Sequence, residues 1–132
     1  MPTDSLGKPG YLRERAVLAS AAYTTDQTVA LVNHANQGMH VILDVTDVTL
    51  APTSITLTIS GIDPVSGNAY TILAGAAVVG VSTNVYKVFP GATAAGNAVA
   101  NDFIPLNFQI SVVGAGVDAD NYFTYSVGMV LI

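Results

Sequence analysis

Hydrophobic and polar positions alternate along much of the chain, most cleanly from Ser54 to Ile62, where Ile55, Leu57 and Ile59 interleave with Thr56, Thr58 and Ser60. A period of two puts alternate side chains on opposite faces of a pleated strand, so one face is apolar and the other a ladder of hydroxyls. Asp63-Pro64-Val65-Ser66-Gly67 follows with turn chemistry: an Asp to bond its own backbone, a Pro with φ preset, and a Gly where φ must be positive. Asn68 to Leu73 returns as the second arm of a hairpin.

The same grammar predicts the other strands. Gln27 to Asn33 is one, and Gly38 to Val48 is another, with Met39, Val41, Leu43 and Val45 on one face and His40, Ile42, Asp44 and Thr46 on the other. Ile42 among polar neighbours implies that this second face is partly covered. Ala51-Pro52-Thr53 breaks the strand. Ala74 to Ser82, small and β-branched around Gly75 and Gly80, reads as one strand with a bulge or bend, and Thr83 to Phe89 follows. Residues 92–105 form the longest stretch without strand character, with room for one helical turn, and a loop of that length is usually functional or bound to something. Leu106, Phe108, Ile110 and Val112 then face inward on one arm of a last hairpin, and Phe123, Tyr125, Val127, Met129 and Leu131 on the other. About eight short strands predict an all-β fold, an antiparallel β-sandwich of immunoglobulin-like or jelly-roll topology. The pattern does not choose between the two.

The amino end differs. Residues 1–12 hold two Pro and two Gly without periodicity, and Arg13 to Ala22 is compatible with a short helix. The domain reading is therefore an extended N-terminal arm over 1–25 and a β-sandwich over 26–132. The apolar run behind Glu14 is too short and too late for a secretory signal, and no stretch approaches the roughly 18 apolar residues of a membrane span.

Composition sharpens this picture. Only 10% of the 132 residues are charged and 51% are hydrophobic, so little charge is left to cover the outside and part of that outside is expected to be an interface. Lys8, Arg13 and Arg15 against Asp4 and Glu14 leave residues 1–25 at +1, whereas 26–132 hold seven Asp against Lys87 alone, −6. Four cations in all exclude a nucleic-acid footprint. Without cysteine there is neither a disulfide framework nor a thiolate metal site.

Candidate chemistry is sparse. His34 and His40 lie in no catalytic motif, and no phosphate loop, His-Glu-x-x-His or Gly-x-Ser-x-Gly occurs, so the expectation is no enzyme and no cofactor. Asp118-Ala-Asp120-Asn121 alternates oxygens that suit calcium, but it supplies three where the ion takes six to eight, and a solvated turn is the better reading. Tyr70, Tyr86, Phe89, Phe108, Phe123 and Tyr125 are the aromatic set for a carbohydrate-binding sandwich, though strand spacing turns several of them inward.

Four segments carry a resemblance: Gly38-Met-His-Val-Ile-Leu-Asp-Val-Thr46, Ile59-Ser-Gly-Ile-Asp-Pro-Val-Ser-Gly67, Tyr86-Lys-Val-Phe-Pro-Gly91 and Tyr125-Ser-Val-Gly128. Together they resemble the capsid decoration, or cement, proteins of tailed bacteriophages, over residues 27–132. The resemblance implies a structural virion protein on the outer surface of the head, assembled in the host cytoplasm, with the major capsid protein as partner and shell stabilisation as its role. It implies no nucleic-acid or membrane partner. Head-fibre or tail components are built from the same parts and stay as alternatives. The cationic cluster Lys8, Arg13 and Arg15 is the expected capsid contact, through an acidic shell surface. Ile42, Val85, Val113, Val130 and Ile132, on faces opposite the core positions, predict self-association, a homotrimer before a dimer.

Overall fold

The structure, a computed structural model, describes residues 14–132. Nine strands fill it: β1 Glu14–Tyr23, β2 Gln27–Val32, β3 Met39–Thr49, β4 Ser54–Ile62, β5 Ala69–Ala74, β6 Ser82–Val88, β7 Val99–Ala100, β8 Asn107–Ala115 and β9 Tyr122–Leu131. They form a five-stranded sheet of order β1-β9-β3-β6-β7 and a four-stranded sheet of order β2-β8-β4-β5. Every pairing is antiparallel except the two-residue contact of β7 with β6. With β7 set aside, first pairs with last, second with next to last, third with sixth and fourth with fifth. That nesting is a long hairpin rolled over on itself, which is the jelly roll. The topology left open by the alternation pattern is thereby decided. No helix among the described residues is long and apolar enough to cross a membrane.

The core lies between the sheets and follows the period of two. Met39, Val41 and Leu43 of β3, Leu57 and Ile59 of β4, and Phe123 of β9 are fully shielded from solvent. Phe108, Ile110 and Val112 of β8 extend the β4 row in the same sheet, and Tyr125, Val127, Met129 and Leu131 complete the β9 row of the other. The β4–β5 turn is built as its residues predict. The Asp63 carboxylate accepts from the Val65 amide at 2.9 Å and the Ser66 hydroxyl at 2.8 Å, while Gly67 takes a φ of 76° and donates to the Asp63 carbonyl at 2.8 Å.

Four expectations are corrected. Arg13 to Ala22, read as compatible with a helix, is instead strand from Glu14 onward, so residues counted with the arm belong to the five-stranded sheet. Alanine favours helix, but a ten-residue helix is marginal alone, and a ladder along β9 from Val130 to Phe123 outweighs the local preference. Ala74 to Ser82 is no single strand: after Ala74 the chain leaves the four-stranded sheet and crosses to the other, held on the way by Val78, whose N–H and C=O both bond Ile55. Leu106, expected inside, is 64% exposed, because β8 begins only at Asn107 and the Leu106 carbonyl is drawn to the Asn33 amide at 2.7 Å. Within 92–105, the segment read as strandless, Val99–Ala100 adds a short parallel pairing to β6.

Candidate functional site

The surface of this sandwich, more than any pocket of reactive groups, is what its residues distinguish. Of the expected capsid contacts, Lys8 and Arg13 lie outside the described residues. Arg15 is half-buried near the start of β1, in register with Met129 of β9. The structure therefore describes one member of that cluster.

Candidate chemistry is dispersed. His34 is exposed in the β2–β3 connection, and His40 is half-buried on the outer face of β3, opposite Lys87 on one side and Val130 on the other. Asp118 spends one carboxylate oxygen on three donors, the amides of Asp120 at 2.9 Å and Asn121 at 2.8 Å and the Asn121 side chain at 3.0 Å. Those bonds, led by the Asn121 side chain, hold its carboxyl below the usual range. This is turn architecture. Among the described residues no three His, Cys, Asp or Glu side chains come close enough to hold a metal ion. Of the six aromatics, Tyr86, Phe108, Phe123 and Tyr125 are buried. Burial pushes the Tyr86 and Tyr125 hydroxyls upward in pKa, and the Tyr125 ring packs on Tyr23 with centroids 4.6 Å apart.

The outer face of the four-stranded sheet carries no charge on its paired rows. Register places Thr28, Ser111 and Thr58 in one row, Ala30, Gln109, Ser60 and Thr71 in the next, and Val113 beside Thr56. The outer face of the five-stranded sheet is mixed: Ile42 pairs with Val85 at its centre, flanked by His40 and Val130, with Asp44 beyond. Of the five residues expected to face outward, Val85, Val113 and Ile132 are 43%, 48% and 52% exposed. Ile42 and Val130 are half-buried among their neighbours.

The crossing segment is an apolar exposed feature. From Pro64 to Tyr86 no residue is charged, and within that stretch Val79 is 71% and Val81 66% exposed. The crossing segment stands off from β6 and leaves an open groove of about 610 Å³, lined by residues 76–86 together with Asn97 and Ala98. No protein-family model, curated protein or solved structure matches the chain.

The groove was not legible from the sequence, since Ala74 to Ser82 has the composition of a strand. The signal that could have found it is the absence of charge across 64–86, since the cores of interfaces are depleted of charged residues.

Proposed function

We propose that this chain is a structural virion protein of a tailed bacteriophage, a decoration protein that binds the major capsid protein on the outer surface of the head and stabilises the shell. The observation that carries the reading is the uncharged outer surface on a two-sheet body: the largely half-buried hydroxyl and amide rows of one outer face, and the exposed valines of the crossing segment beside the other sheet. Interface cores are depleted of charge, and a protein that staples neighbouring subunits needs such a surface on a body that does not deform.

The resemblance noted in the sequence supports the same reading. Its segments fall on the framework: Gly38–Thr46 on β3 at the centre of the five-stranded sheet, Ile59–Gly67 on the end of β4 and its turn, Tyr86–Gly91 at the end of β6, and Tyr125–Gly128 on β9. Jelly rolls recur among viral capsid domains, which is analogy at the level of fold. The assembly state that goes with the reading is a homotrimer, because local threefold positions of a shell reward copies that associate around the same axis.

Electron microscopy of purified heads with and without the protein tests it. The expected result is extra density at fixed outer-surface positions and greater resistance of decorated heads to heat. Density confined to the tail, or none on heads, overturns it.

A further inference from the structure

The two ends of the sandwich differ in kind. Strand directions gather the connections 33–38, 63–68 and 89–106, with Glu14 and Ile132, at one end, and 24–26, 50–53 and 116–121 at the other. The second end carries Asp26, Asp47, Asp118 and Asp120 and no cation among the described residues, with Asp44 part-way between the two. Both described cations lie towards the first end, Arg15 beside Met129 and Lys87 beside His40. Glu14, Asp63 and Asp102 share that end. The two aspartates turn an oxygen back on their own loops, accepting from the Val65 amide at 2.9 Å and the Phe103 amide at 2.8 Å.

The first end also holds apolar side chains on anchored backbone. Phe103 is 61% exposed, and Leu106, Val32 and Ile132 are exposed with it. Asn33, itself buried, ties their connections together. Its side-chain amide donates to the Ile104 carbonyl at 2.9 Å and the Asn36 carbonyl at 2.8 Å, and its side-chain oxygen accepts from the Asn36 amide at 3.0 Å. Its backbone amide reaches the Leu106 carbonyl at 2.7 Å, and Gln37 and Gly38 bond the Ile132 carbonyl in turn. The backbone that carries Phe103 and Leu106 is thus held before any partner arrives, which lowers the ordering cost of a contact. Aromatic side chains and arginine are enriched at interfaces, and carboxylates are depleted there.

We infer that this end is the foot on which the protein stands: Phe103 and Leu106 seat in an apolar depression on the outer face of the capsid protein, Arg15 and Lys87 meet acidic groups around it, and the carboxylate end points to solvent. The inference rests on the decoration reading and adds which way up the sandwich stands. Charge selects the end. At the other, exposed Leu50 stands between Asp47 and the Asp118–Asn121 turn, and seating it would take carboxylates out of water. Chain continuity agrees. Residues 1–13 join the body at Glu14, so Lys8 and Arg13 are tethered to the same end as Arg15 and Lys87, and these are the four cations of the chain. A second copy is the rival occupant, since its carboxylate end complements these cations. That contact runs along the strands and repeats into an open filament rather than a closed ring. Copies side by side around an axis along the strands instead put all their feet on one side, where a shell engages them together.

The test reads the footprint of the full-length protein on purified heads. The chain has no cysteine, so Gln37→Cys marks the foot and Ala119→Cys the opposite end, both at exposed positions. On decorated heads the maleimide reaction at Gln37→Cys should slow about tenfold or more as the contact excludes solvent, while Ala119→Cys keeps its free rate. The double variant Phe103→Ser, Leu106→Ser changes exposed side chains outside the core. It should melt with the wild type while its affinity for heads falls about tenfold or more; Leu50→Ser should bind as the wild type does. Full affinity in the double variant, or protection of Ala119→Cys in place of Gln37→Cys, overturns the foot and leaves the decoration reading standing. Protection of Gln37→Cys on concentrating the protein without heads makes a second copy the occupant and overturns the capsid contact at this end. Failure of the wild type to bind heads overturns both readings.

Discussion

Leu57 and Thr58 are neighbours in sequence with opposite fates, and the contrast tests the strand register directly. Leu57 is fully buried in the core beside Val112 of β8, while Thr58 stands on the hydroxyl face between Ser111 and Ala74. Leu57→Ala should cost about 2–5 kcal/mol in thermal or denaturant unfolding, since the cavity adds to the lost transfer energy. Thr58→Ala should cost well under that, about 1 kcal/mol at most. The reverse order would mean a ladder slipped by one residue. Asp63 offers a second test. The Val65 amide, then the Ser66 hydroxyl, holds its carboxyl below the ordinary 3.8. A group whose folded pKa is depressed contributes stability above its unfolded value and loses it as pH falls through the folded one. The stability difference between wild type and Asp63→Asn should therefore be full above pH 3.8 and close up in stronger acid; a difference that persists unchanged there refutes the assignment.

At the scale of elements, the strands that alternate strictly were legible and those that do not were not. β3, β4, β8 and β9 announce themselves because each buries one face, which fixes register and composition together. The Asp63–Gly67 turn was legible down to the sign of φ, because a tight turn admits few residues at each position. β1 was misread since its alanines carry no period, and only the ladder along β9, which is not local information, makes it a strand. The crossing segment was misread for the converse reason: valine-rich sequence without a partner row is not a strand. Its start is held by Gly75, whose amide reaches the Leu57 carbonyl at 2.8 Å. A Cβ there would lie 2.7 Å from the Tyr86 ring and 2.8 Å from that same carbonyl oxygen. Gly75→Val should destabilise by roughly 1–3 kcal/mol through overpacking against backbone. Gly80→Ala, which meets nothing within 4 Å, is the control and should be nearly neutral. Equal losses in the two variants would contradict this account of the crossing. The candidate surface was legible only as an excess of hydrophobic residues over what a core can hide; its location required the crossing to be seen.

For the whole molecule, the nesting of first strand with last has a consequence in time. β9 lies between β1 and β3 in the five-stranded sheet, and the Ile132 amide bonds the Gly38 carbonyl at 2.9 Å while its carbonyl accepts from Gln37 and Gly38. During synthesis the place between β1 and β3 stays empty until β9 has left the ribosome, and Val41 and Leu43 wait without the Met129 and Val127 row that flanks them. Contacts between residues so far apart in sequence make folding slow, on the order of milliseconds to seconds for all-β domains of this kind. Chains arrested with residue 121 just outside the ribosome should be digested by protease as readily as unfolded ones, and chains released past residue 132 should become resistant in one step. Resistance acquired earlier would show that the four-stranded sheet stands alone. Until that strand arrives the apolar rows it flanks stay exposed, so each nascent chain is open to aggregation and to chaperone capture for the whole time that residues 14–121 wait for β9.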